Sequence, residues 1–193
     1  MDLRAWRRRW QEDPQGAEAQ LSTLREDPEV LAAWVEDLLR DPDPEARAWA
    51  CRLSVELPDA RGEEALLRAL EDPEPEVRAA AAWALGARPR EEEAPRITRA
   101  LCARLQDLPW VAWVAAEALA RYGEAALDSL VESLRHPNPQ VRVLAARALA
   151  RMASPRSLPA LMAALEDSSL LVRHFAEVGL DRLVPEQWVW MAG

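Results

Sequence analysis

The chain has 193 residues, half of them apolar, with a formal charge of −9. That length suits one compact domain or a short repeat array able to bury roughly 70% of its unfolded surface. The acidic balance argues against a general binder of nucleic acid or anionic membrane, which would carry a basic excess. The longest apolar run, Leu108 to Ala116, stops at Glu117, well short of the ~20 residues of a membrane span. Arg7, Arg8 and Arg9 lead into Trp10, Gln11, Glu12 and Asp13 with no apolar signal stretch, so the expectation is a soluble, cytoplasmic protein.

In chain order, residues 1–27 read as capping helices broken at Asp13-Pro-Gln-Gly16, with Leu3, Trp6 and Trp10 on one face of the first. From there to residue 184 the sequence repeats. Asp41-Pro-Asp-Pro-Glu-Ala-Arg47, Asp72-Pro-Glu-Pro-Glu-Val-Arg78, His136-Pro-Asn-Pro-Gln-Val-Arg142 and Asp167-Ser-Ser-Leu-Leu-Val-Arg173 align, and Asp107-Leu-Pro-Trp-Val-Ala112 joins them with one turn residue deleted. Anchored on Ala46, Val77, Val111, Val141 and Val172, the spacings are 31, 34, 30 and 31 residues. Such a period marks a repeat architecture.

Each copy has the same logic. A leucine-rich stretch with helical spacing, such as 65–70 or 158–165, precedes the turn. Proline stops that helix and suits the first turn of the next, where acidic side chains meet the positive helix end. An alanine-rich helix follows, Val77 to Leu85 or Val141 to Leu149, whose small residues allow close approach. A helical hairpin of this kind cannot bury its apolar face alone; stacking supplies the partner. Almost nothing alternates with period two, so no sheet is expected. After the fifth repeat, residues 185–193 form a Trp-rich tail in which Trp188 and Trp190 either cover the last hairpin or meet a partner.

The signature Asp-Pro-x-Pro-x-Val-Arg-x-x-Ala-Ala-x-Ala-Leu resembles HEAT repeats of the short type named for phycobilisome lyases. The resemblance covers residues 28–184 as five repeats in a single domain, and implies an all-α, right-handed α-solenoid of stacked hairpins whose second helices line a concave side. It also implies a ladder between neighbours, from Arg47, Arg78, Arg142 and Arg173 to Asp41, Asp72, Asp107 and Asp167. Ala112 stands where an arginine is expected and His136 where an aspartate is expected, so the ladder is questioned there.

No constellation for chemistry is visible. His136 and His174 are the only histidines, too few for the several His–Glu pairs of an iron-binding HEAT enzyme. Neither has a serine or cysteine at a spacing that suggests a nucleophile–base pair. Cys51 and Cys102 make no CxxC and read as small core residues. The six glycines are scattered singly, with no phosphate loop, and Glu91, Glu92 and Glu93 read as a solvated loop. The expectation is a non-enzyme with no cofactor and no metal.

Function is therefore sought on the surface. Positions two, six and ten after each anchor share one helix face. They read Ala48-Arg52-Glu56, Ala79-Trp83-Ala87, Trp113-Glu117-Arg121, Val143-Arg147-Arg151 and His174-Val178-Arg182. Residues 11–75 sum to −12 and residues 96–160 to +4, so the later repeats are the basic ones. Tryptophan and arginine are the residues enriched at binding hot spots. The candidate partner-binding set is Trp83, Trp110, Trp113, Arg121, Arg147, Arg151, His174 and Arg182, with Trp83 and Trp113 either forming one aromatic patch or packing between helices. The favoured reading is a scaffold that grips an acidic, partly apolar protein segment in its concave groove. Two alternatives stand beside it: a structural subunit docking through its Trp-rich ends, and an enzyme of the bilin-lyase or alkylated-DNA-glycosylase kind, the last by fold analogy.

Overall fold

The computed structural model describes residues 27–57 and 61–183, together with positions 12, 13, 15 and 22. Apart from those positions and Asp27, the capping helices expected over 1–27 lie outside the described residues, as does the tail with Trp188 and Trp190. Every regular element among the described residues is helical, and the chain divides into two compact units, Met1–Leu85 and Gly86–Gly193.

The first unit holds helices α1 (Pro28–Leu39), α2 (Pro44–Leu53), α3 (Arg61–Ala69) and α4 (Pro75–Ala87), the last ending just past the boundary. Leu31, Trp34, Val35 and Leu38 of α1 close on Ala46, Ala50 and Leu53 of α2, with Leu57 beneath and Trp49 half-buried at the margin. The second unit contains three hairpins: α5 (Ala94–Ala103) with α6 (Pro109–Tyr122), α7 (Leu127–Ser133) with α8 (Pro139–Met152), and α9 (Leu158–Ala164) with α10 (Leu170–Leu183). Leu101, Leu119, Leu130, Leu149 and Leu161 are fully buried between them, each burial contributing about 1.5–3 kcal/mol. The architecture is the all-α stack of helical hairpins, the α-solenoid, that the repeats predict.

The turn chemistry explains why the motif recurs. In the first unit the Asp41 carboxylate accepts the Asp43 amide at 2.8 Å, and Asp43 caps α2 by accepting the Glu45 amide at 3.0 Å. Each aspartate thus satisfies a backbone donor that the prolines leave beside them, and the second satisfies a helix-start orphan. Arg47 then closes the turn, its Nη1 donating to the carbonyls of Asp41 and Pro42. Its Nε and Nη2 donate to the two oxygens of Asp72 at 2.8 and 2.9 Å, so the arginine of one repeat grips the turn of the next. In the second unit Arg142 repeats every one of these bonds, to the carbonyls of His136 and Pro137 and, at 2.8 and 3.0 Å, to Asp167.

These pairs are charge-assisted and bidentate, the strong kind of hydrogen bond. Burial alone would raise the Asp72 carboxyl, but the bonds from Arg47 and the Glu74 amide, with the charges of Arg47 and Arg78, bring it below the ordinary carboxylate range. The Arg142 guanidinium likewise holds Asp167 down. The ladder implied by the family resemblance is present at these two rungs.

The second helices approach closely where small residues meet. A β-carbon on Gly86 would lie 2.7 Å from Ala118, and one on Gly179 would lie 3.0 Å from the Ala150 α-carbon. Both thiols sit in helices, as expected: Cys51 is buried and Cys102 partly so, and burial pushes their pKa values up to about 12 and about 11.

Candidate functional site

The second-helix face of the C-terminal unit gathers most of the predicted residues. Trp113 on α6 is 49% exposed, and one helical turn earlier Trp110 is 44% exposed, immediately after the Pro109 that starts the helix. The Arg147 guanidinium of α8 lies over the Trp113 ring at 5.1 Å, a cation–π contact that holds both groups in place. Glu117, one turn along from Trp113, is largely covered and accepts from Arg147 Nη2 at 2.7 Å and from Arg151 Nη1. Arg147 Nη1 is buried and has no hydrogen-bond partner. Arg151 stays half exposed.

The remaining arginines on this face are tethered to backbone. Arg121 Nη1 reaches the Gly86 carbonyl at 3.5 Å, and Arg182 Nη1 donates to the Ala150 carbonyl at 3.1 Å. Both side chains remain exposed. His174 is also exposed, its ring 5.3 Å from that of Phe175.

In the first unit Trp83 is 46% exposed on α4, so neither Trp83 nor Trp113 is packed into a core. The two belong to different units. Position two of several repeats is closed over, since Ala48, Ala79 and Val143 are buried. Arg52 turns along its own helix to cover Trp49 at 5.5 Å.

Sequence reasoning overlooked two features. The double pairing of Glu117 was available from register, because Glu117 and Arg147 occupy position six of successive repeats. The exposure of four apolar residues, Leu108 at 49%, Met162 at 56%, Leu170 at 70% and Leu171 at 54%, was not. Leu108, Leu170 and Leu171 stand in or beside turns where other repeats carry proline, asparagine or glutamate, but that position alone does not say whether an apolar side chain is covered.

The His136 turn is built on the ring itself. Its Nδ1 accepts the Asn138 amide at 3.1 Å, taking the acceptor role of Asp41, Asp72 and Asp167, and Asn138 caps α8. A polar cleft of about 420 Å³ opens beside it, lined by Arg99, Cys102, Asp128, Glu132 and Ser133 among others. Among the described residues no three histidine, cysteine, aspartate or glutamate side chains are placed to hold a metal ion. Nor is any helix there long and apolar enough to cross a membrane.

Fold and site together define a helical-repeat protein that presents side chains from successive second helices. The chain belongs to the HEAT-repeat family, which it matches over residues 31–107 and 98–181. No curated protein matches it by sequence. Among solved structures it is similar to an engineered protein from a structural genomics consortium, at 25% identity and a TM-score of 0.49 over 81% of this chain and 78% of that one. It is also similar to a designed armadillo repeat protein in complex with the peptide (KR)4, at 23% identity and a TM-score of 0.47 over 90% and 94%. A third is human deoxyhypusine hydroxylase in complex with glycerol, at 22% identity and a TM-score of 0.35 over 88% and 90%.

Proposed function

We propose that this HEAT-repeat protein is a non-enzymatic, cytoplasmic scaffold. It holds an acidic, partly apolar segment of another protein on the second-helix face of its C-terminal unit, the concave side of a right-handed solenoid. Its repeats are of the short phycobilisome-lyase type, on the strength of the Asp-Pro-x-Pro turn. The observation that carries the reading is Trp113: a half-exposed indole fixed under a guanidinium, with Trp110 and Arg151 exposed beside it. Exposing such large apolar rings to water is unfavourable, and aromatic–arginine clusters of this kind are where interface energy concentrates.

The experiment is affinity capture from native extract with wild type and with Trp110→Ala/Trp113→Ala, both substitutions being at exposed positions. A protein retained by wild type alone and released by raised salt supports the reading. Equal capture by both forms moves the site elsewhere, and recovery of nucleic acid revives the enzymatic alternative.

A second reading, a subunit that docks onto a neighbour through its end, is favoured by Met162, Leu170 and Leu171 on the last hairpin. Large apolar side chains left in water on one hairpin are candidates for an interaction surface. Leu170→Asp/Leu171→Asp should then abolish any concentration-dependent rise in sedimentation mass. A wild type that is monomeric throughout removes that reading.

A further inference from the structure

Arg121, Arg151 and Arg182 occupy position ten in three successive repeats, on α6, α8 and α10, and all three are exposed. Each commits one nitrogen to its own fold: Arg121 to the Gly86 carbonyl, Arg151 to Glu117 and Arg182 to the Ala150 carbonyl. Long cationic side chains held this way lose less freedom on binding than free ones. The same register carries Glu56 in the first repeat and Ala87 in the second, so the row begins at Arg121.

Packed helices lie about 8–10 Å apart, the step expected between neighbouring backbones at this register. A polyproline II chain rises about 3.1 Å per residue with three residues per turn, and so returns to the same face about every 9.3 Å. An extended strand repeats on one face at about 6.6 Å, which drifts out of step after one repeat.

Resting on the scaffold reading above, we propose that the partner is a proline-rich acidic segment in polyproline II conformation. A carboxylate at every third residue would pair in turn with Arg121, Arg151 and Arg182. Charge complementarity selects it, since the fixed groups offered by this row are cationic and planar.

Fluorescence anisotropy on the full chain tests this with a labelled peptide of four Glu-Pro-Pro triplets. The comparison is an isomer of identical composition whose four glutamates are contiguous, with a dT12 oligonucleotide and a helical peptide bearing glutamate at every seventh position as further probes. The triplet peptide is expected to bind at least about fivefold more tightly than the isomer. Arg121→Gln, Arg151→Gln and Arg182→Gln should each weaken it about two- to fivefold, as exposed charge pairs do, with the helical spectrum unchanged.

Equal affinity for the two isomers overturns the three-residue register while leaving an acidic partner standing. Tighter binding of the helical peptide overturns the polyproline II conformation. Binding of neither acidic peptide, or preference for dT12, overturns both this inference and the scaffold reading. The isomer comparison uses the wild-type chain, so it holds whatever the variants do.

Discussion

The junction between the fourth and fifth repeats and the one between the third and fourth solve the same problem with different residues. At the former, Arg142 closes its own turn and grips Asp167, while Gly179 lets α10 press against Ala150 of α8. At the latter, both members of the rung are replaced: Ala112 is buried where the arginine would be, and His136 sits where the aspartate would be. The loss is matched, so neither the arginine nor the aspartate of the rung stands without its partner. The ion pairing reappears elsewhere with reversed polarity, as Glu117 of α6 with Arg147 and Arg151 of α8. Beyond the helix ends, Glu124 does the same with Arg156 and Ser154. Stacking is therefore set by apolar and alanine contacts, and the ion pair is movable. Moving it onto the second-helix face lets Glu117 hold the Arg147 guanidinium that lies over Trp113.

The largest effect should come from filling the close approach. Gly179→Ala forces a β-carbon against the Ala150 backbone and the Leu161 side chain, and should lower unfolding free energy by about 1–3 kcal/mol in urea titration. A neutral result would mean the fourth–fifth junction is looser than its counterpart contacts imply. Next comes the rung: Arg142→Gln removes charge-assisted bonds to Asp167 and should cost about 2 kcal/mol. The same variant tests the pH dependence. Because the folded Asp167 carboxyl lies below its ordinary value, its contribution is full above about pH 4 and is lost as acid carries it through the lowered value. Wild type should lose stability on acidification below about pH 4 more steeply than Arg142→Gln, and parallel curves would assign the acid transition to other groups.

Glu117→Gln should cost about 1 kcal/mol, since it weakens two pairs of which Arg151 is half exposed. It should also tighten binding of the Glu-Pro-Pro peptide by removing the one carboxylate between the arginines. Unchanged or weaker binding would mean that Glu117 orients those arginines more than it competes for them. The smallest change is His136→Asp, expected within about 0.5 kcal/mol at pH 7, because a carboxylate accepts the Asn138 amide as Asp72 accepts that of Glu74. A large gain in stability would show that the histidine strains its turn.

Much of the fold was legible because it is local. Asp-Pro-x-Pro states where one helix stops and the next begins, through a missing amide proton and two side-chain acceptors a few residues apart. The Val-Arg-x-x-Ala-Ala helix states which side buries. One contact was legible from register: Trp113 and Arg147, on the same face of successive second helices, come together. Register did not say that Arg121 and Arg182 bind backbone carbonyls. Those bonds depend on how far a flexible side chain reaches across a packed junction, and spacing along one helix does not contain that distance. The exposure of Leu108, Leu170 and Leu171 was hidden for a related reason, since an apolar residue at a helix start can be covered or bare depending on what stacks beside it.

By itself the sequence determined the helical hairpins, their period, their turns and the charge difference between early and late repeats. Each of these follows from backbone donors, acceptors and side-chain size within about one turn of the chain. Only the tertiary structure decided which rung carries an ion pair, which arginines are held and by what, and which tryptophans face water. Those outcomes are set by contacts between residues some 25 to 35 positions apart, where packing distance rather than local propensity chooses the partner.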